Sequence, residues 1–210
     1  FVMAGGSLIV MIDPFSRVKR ANNVTNPSPS EEINDISDLL AHYGIVYEGA
    51  AVVGDAQLAS MVSDGDQGRL NYPYWMRITA SDLSADHATT ANLNEVLLVE
   101  AGAFRLEGGA RALVATTDNA GTALRGDFDR LTPRDLSMSF TSQSKKRVLA
   151  ATVQGPLKSV FGSAPDPSTT AAHRPDSAGM PLVFAIADVD WLFDPFSLQK
   201  TGLGQDTVVR

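Results

Sequence analysis

Residues 7–14 read SLIVMIDP, and the fold turns on how that stretch is taken. Leu8 to Ile12 are five consecutive apolar side chains, preceded by Gly5-Gly6 and closed by Asp13-Pro14. A short unbroken apolar run between turn signals reads as a strand buried on both faces, as in a parallel sheet covered by helices. Upstream, Phe1 to Gly6 reads as the last turn of a helix stopped by glycine. Downstream, residues 16–30 are polar and carry Asn22-Asn23, Pro27 and Pro29, the composition of a loop. Ser30-Glu31-Glu32-Ile33 then reads as a capped helix start with acids in its first turn. Ile33, Ile36, Leu39, Leu40 and Tyr43 share one face of that helix, Gly44 ends it, and Ile45-Val46-Tyr47 completes a strand–helix–strand rhythm.

Beyond residue 50 the pattern becomes rich in short strands: Ala51 to Val53, Leu58 to Val62, Trp75 to Thr79, Val96 to Val99, Arg111 to Thr116 and Arg147 to Val153. Thr132-Pro133 opens a short helix with proline at its first position. Residues 163–179 are small, polar and proline-rich and read as an exposed loop. Leu182 to Ala187 is the last strong strand, and the tail from Gly202 shows no apolar pattern. The expected fold class is α/β: a mixed, largely parallel sheet flanked by helices, with an added β-rich portion. One unit spans 1–210, with a β-α-β start over 1–50, a β-rich middle over 51–160, the loop at 163–179, and a closing strand and helix over 181–199. The opening helix tail, with no helix before it, suggests a piece of a larger domain.

The chain's 210 residues carry a formal net charge of −7, and that balance repels phosphate backbones, so nucleic acid is not an expected partner. With no cysteine there is no thiol catalysis, no cysteine-ligated zinc and no disulfide. No apolar run approaches the roughly 20 residues that cross a bilayer. Gly-x-Ser-x-Gly and Walker A sequences are absent, and the three histidines have no metal-ligand spacing.

Two sets of residues stand out. Asp13 ends one apolar strand, and Asp188 and Asp190 follow another. If the two strands are neighbours, the three carboxylates converge and could hold a hard cation such as magnesium; otherwise each caps the turn that follows it by accepting backbone N–H groups. The second set is Tyr72-Pro73-Tyr74-Trp75. Aromatics beside proline on a loop stack on sugars or anchor a protein contact, or else they cover a sheet edge. Trp191, Phe193 and Phe196 read as core. Asp64-Gly65-Asp66-Gln67-Gly68 lacks the spacing of a calcium loop and reads as a hairpin turn.

Several of these segments, in this order, carry a resemblance. They are Leu8 to Phe15, Asp38 to Ile45, Val52-Val53-Gly54-Asp55, Asn71 to Trp75, Gly155 to Phe161 and Val183 to Phe193. Together they resemble the auxiliary component of gliding-motility-type ABC transport systems. The resemblance implies an extracytoplasmic (periplasmic) domain of a bacterial inner-membrane protein, anchored through segments outside this sequence. Its implied partners are the permease and ATPase subunits of the same system and envelope proteins. It implies no catalytic residues and no cofactor, so the expected role is non-enzymatic binding or scaffolding. Function would lie in surfaces: the aromatic segment 71–75 with Tyr72, Tyr74 and Trp75, the loop after Asp13 with Phe15, and the loop 163–179. The competing expectation is a metal-dependent hydrolase or carbohydrate-binding domain that uses Asp13, Asp188 and Asp190.

Overall fold

A computed structural model describes residues 1–18, 36–164, 172–193, 196, 198–200 and 207–209. The architecture is mostly β, which overturns the expected helix-flanked parallel sheet. Among the described residues there are thirteen strands and two α-helices of seven residues each. The strands are β1 (Leu8–Met11), β2 (Ile45–Tyr47), β3 (Ala51–Asp55), β4 (Ala59–Ser63), β5 (Arg69–Thr79), β6 (Glu95–Val99) and β7 (Phe104–Leu106). They continue with β8 (Arg111–Ala115), β9 (Ala120–Leu124), β10 (Val148–Gln154), β11 (Leu182–Ile186), β12 (Leu198–Lys200) and β13 (Thr207–Val209). The helices are α1 (Ile36–His42) and α2 (Pro133–Ser139).

The main sheet runs β1-β11-β10-β7-β2, with β8 also paired to β10. Only β1 and β11 run parallel among the described pairs, in the register Leu8↔Val183 to Met11↔Ile186. The other ladders are antiparallel: the β4-β5-β6 meander, the β3-β9 pair and the β12-β13 hairpin. β13 lies in the tail for which the sequence offered no pattern.

β1 shows where the apolar pattern and the fold part company. Val10 and Ile12 are buried, but Ile9 is 64% exposed and Met11 36% exposed. Burial alternates along this edge strand, so its apolar run is covered on one face only. An unbroken run of apolar residues carries no record of how many faces are covered. On the covered face, Val10, Ile12, Val183, Ala185, Ala151 and Val153 pack with Leu40 and Tyr43, joined by Ile36 and Leu39 of α1. On the opposite face, Ala150 and Ile186 pack with Met76 and Ile78 of β5 and Leu98 of β6. The layer expected to be helical is therefore the β4-β5-β6 meander. Each fully buried aliphatic side chain in these clusters contributes on the order of 1.5–3 kcal/mol.

Local signals held better. Val2–Ala4 form a 3-10 turn, with Gly5 left-handed at φ 95° and its N–H bonded to the Val2 carbonyl. Thr132 and Asp135 form a reciprocal capping box on α2, with proline in its first turn. The α1 start expected at Ser30 lies outside the described residues, as do residues 19–30 of the first loop and 165–171 of the later one. Part of that later loop is pinned: Ser177 N–H bonds the Leu157 carbonyl, and Ala178 N–H bonds the Met3 carbonyl. Among the described residues no helix is long and apolar enough to cross a membrane.

Candidate functional site

The parallel pairing of β1 and β11 builds the site. Met11 stands opposite Ile186, so carrying the register on by two residues sets Asp13 beside Asp188. Asp190 follows at the start of the 3-10 turn Asp190–Leu192. One carboxylate oxygen from each of the three lies within 4.8 Å of the others. Asp188 and Asp190 are fully buried.

Every one of these oxygens accepts hydrogen bonds from the chain. Asp13 Oδ1 takes the Phe15 N–H at 2.7 Å, and its Oδ2 takes the Val189 N–H at 3.2 Å. Asp188 Oδ1 takes the N–H groups of Asp190 and Trp191, at 2.7 and 3.3 Å. Its Oδ2 takes the Val99 N–H at 2.6 Å, which ties β6 to the end of β11. Asp190 reaches the other way: Oδ1 accepts from Ser16 Oγ at 2.8 Å and Val18 N–H at 3.2 Å, and Oδ2 from Arg17 N–H at 2.6 Å. The three acids thus lash residues 13–18, the end of β6 and the end of β11 into one knot. They do what strand-end caps do, across three segments distant in sequence.

A fourth acid completes the knot. Glu100 is fully buried and holds a left-handed backbone at φ 55°, which costs a non-glycine residue on the order of 1 kcal/mol or more. Its side chain accepts from the Tyr72 hydroxyl at 2.8 Å and pairs through both oxygens with the Arg17 guanidinium. That guanidinium also lies over the Trp75 ring, 5.6 Å from its centroid. Among the described residues, Arg17 is the cation that pairs with a carboxyl group of this centre, and it does so at Glu100. Burial, reinforced by the charge of Asp188, pushes the Asp13 carboxyl up to about 8. Burial likewise pushes Asp188 to about 7, with Asp190 adding to it. Burial raises Glu100 too, against the pull of Arg17. The Tyr47 hydroxyl is buried without a hydrogen-bond partner, and burial together with the nearby Asp13 charge keeps it protonated. Chemically, the centre binds backbone N–H groups and retains protons; a hard cation using the same oxygens would share them with those N–H groups and displace the retained protons.

The aromatic segment is placed differently from its expected loop. It lies within β5, where the pairing to β4 jumps from Ser60↔Tyr72 to Ala59↔Met76. Pro73, which has no N–H to give a ladder, falls in that bulge. The bulge turns neighbouring side chains inward: Tyr72 and Tyr74 are each 1% exposed and pack with Phe15, Phe128 and Leu136. Trp75 is half-buried, edge-on to Phe196 at 5.2 Å. Of the aromatics singled out in the sequence, Tyr72, Tyr74 and Phe15 are core residues. Phe193, read as core, is 40% exposed.

The sequence reading missed Glu100, Arg17 and Tyr47. Glu100 did carry a signal, for it follows the apolar run Val96 to Val99 as Asp13 follows Leu8 to Ile12. Arg17, in a polar loop, carried none. The model of a family described as an ABC-type uncharacterized transport system matches residues 1–209 of this chain. No curated protein matches it, and no solved structure does.

Proposed function

The chain belongs to this family of auxiliary components of ABC-type transport systems, and from that premise we propose that it is a non-catalytic binding and scaffolding domain of such a system. In this reading it is the extracytoplasmic part of a membrane-anchored subunit of a gliding-motility-type exporter. It touches the permease and, through the anchored assembly, works with the ATPase. One observation supports a role by contact above the others: all three strand-end aspartates spend both oxygens on the chain's own N–H and O–H groups. An acid held that way positions the segments whose N–H groups it accepts.

The experiment is affinity purification of the full-length protein from its own membranes in a gentle detergent. The permease and ATPase subunits co-elute in a fixed ratio if the reading is right. Elution of the protein alone, from membranes where permease and ATPase still purify together, contradicts it.

The convergence of three carboxylate oxygens within 4.8 Å supports a second reading, a divalent-cation site at Asp13, Asp188 and Asp190. Titration calorimetry with magnesium and calcium separates the two. Stoichiometric heat that disappears in Asp13→Asn favours the cation, and no saturable heat favours the knot.

A further inference from the structure

A concavity lies apart from the carboxylate knot, on the far side of β8 from its ladder with β10. There a cavity of about 520 Å³ opens between β8, the loop 116–119 and the segment 81–84, with Gln57 and Lys146 at its rim. That volume lies within the roughly 300–1,000 Å³ of small-molecule sites.

Its frame is fixed from below. Asp55, fully buried, accepts the N–H groups of Gln57 and Leu58 through Oδ1, and both the N–H and the hydroxyl of Thr117 through Oδ2. The two loops that carry Gln57 and Asn119 are thereby joined, and Asn119 Nδ2 bonds Gln57 Oε1 at 3.1 Å across the join. Thr116, 3% exposed, exchanges hydrogen bonds with the Arg147 backbone and so holds the neighbouring Lys146 at the edge. On the opposite wall the Ser84 N–H bonds the Leu113 carbonyl.

What this fixed frame presents is polar and unspent. The Lys146 ammonium and the Asp118 carboxylate take no partner among the described residues, although both line the cavity. Gln57 has its oxygen engaged by Asn119, which leaves its amide N–H groups to donate. Asp82 uses one oxygen on Thr79 and Ser81, which leaves the other to accept. Two carboxylates against one ammonium repel an anionic ligand such as a phosphate or a uronic acid. Donors and acceptors interleaved around one concavity suit groups that both give and take a hydrogen bond, and hydroxyls do this.

We infer that this cavity is a binding site for a neutral polyhydroxylated ligand, an oligosaccharide, held by Lys146, Asp118, Asp82 and Gln57. It shares no residue with the carboxylate knot and stands or falls apart from the transport role.

The test is saturation-transfer NMR on the full-length protein in detergent, with maltotriose and cellotriose as probes and a trigalacturonate as the charged comparison. The site predicts saturable transfer to at least one neutral trisaccharide. It also predicts affinity lowered about tenfold or more in the Lys146→Ala, Asp118→Ala double variant and unchanged in Met61→Ser, which alters an exposed side chain on β4. Lys146 and Asp118 are exposed and unpartnered, so the double variant keeps the wild-type melting temperature. No transfer to either neutral sugar, transfer that survives the double variant, or tighter binding of the trigalacturonate would each overturn the inference.

Discussion

At Asp13, burial and the adjacent Asp188 keep a proton on a carboxyl that an unfolded chain has already lost at neutral pH. The folded protein therefore binds more protons than the unfolded one between the ordinary carboxylate value of 3.8 and about 8 for Asp13, and up to about 7 for Asp188. Stability contributed by this pair is fully present below that window and declines as pH rises through it, by at most about 1.4 kcal/mol per pH unit for each retained proton. The carboxamide of an Asp13→Asn variant stays uncharged like the protonated acid and keeps an oxygen for the Phe15 N–H, but its NH2 cannot accept the Val189 N–H, which loses its partner. Thermal unfolding of Asp13→Asn should fall below the wild type near pH 5, by about 1–3 kcal/mol for the orphaned Val189 N–H, and the gap should narrow towards pH 8 as the wild type loses its retained proton. Equal slopes for the two proteins from pH 5 to 8 would contradict this assignment. The three aspartates were legible in the sequence because each follows an apolar strand. Whether they serve as caps or as ligands was not legible, since it depends on which distant N–H groups meet them. The same holds for Arg17, whose partner Glu100 stands 83 positions away.

Among the elements, α1 depends on its end. Gly44 is left-handed at φ 84°, its carbonyl accepts the Glu107 N–H, and a Cβ added there would stand 2.4 Å from the Glu107 carbonyl oxygen. Gly44→Ala combines left-handed strain of roughly 1–2 kcal/mol with a backbone clash. For a domain of this size that lowers the melting temperature by about 2–8 °C or more. Gly65 is also left-handed, at φ 58°, but nothing lies within 4 Å of its added Cβ. Gly65→Ala should show the strain alone, and an equal loss in both variants would show that the contact with Glu107 is unimportant. Such stops, with the Thr132 cap and the 64–68 turn, were readable because their chemistry is local. The covering of β1 was not. A sheet face can be closed by a helix or by another sheet, and residues 8–12 read the same in either case. The bulge in β5 hid in the same way: Tyr72-Pro73-Tyr74 has the composition of a loop, and only its pairing with β4 makes it core.

Across the whole molecule, β1 and β11 meet from opposite ends of the chain, and their acids fasten a loop, a meander strand and a turn to one another. The surface that results is acidic, with a net charge of −7, and its exposed apolar side chains include Ile9, Met11, Leu192 and Phe193. That arrangement fits a subunit that works by contact, in which the buried carboxylates set shape and take no part in turnover. The most direct measurement replaces the wild-type gene with Asp13→Asn in the full-length protein and follows both co-purification with the permease and ATPase and the transport phenotype of the cell. The account predicts assembly and transport that follow the amount of folded protein, because the carboxamide still accepts the Phe15 N–H and the acid it replaces only positions segments. Loss of transport by two or more orders of magnitude, with assembly and folding intact, would contradict it and make Asp13 a residue of the chemistry.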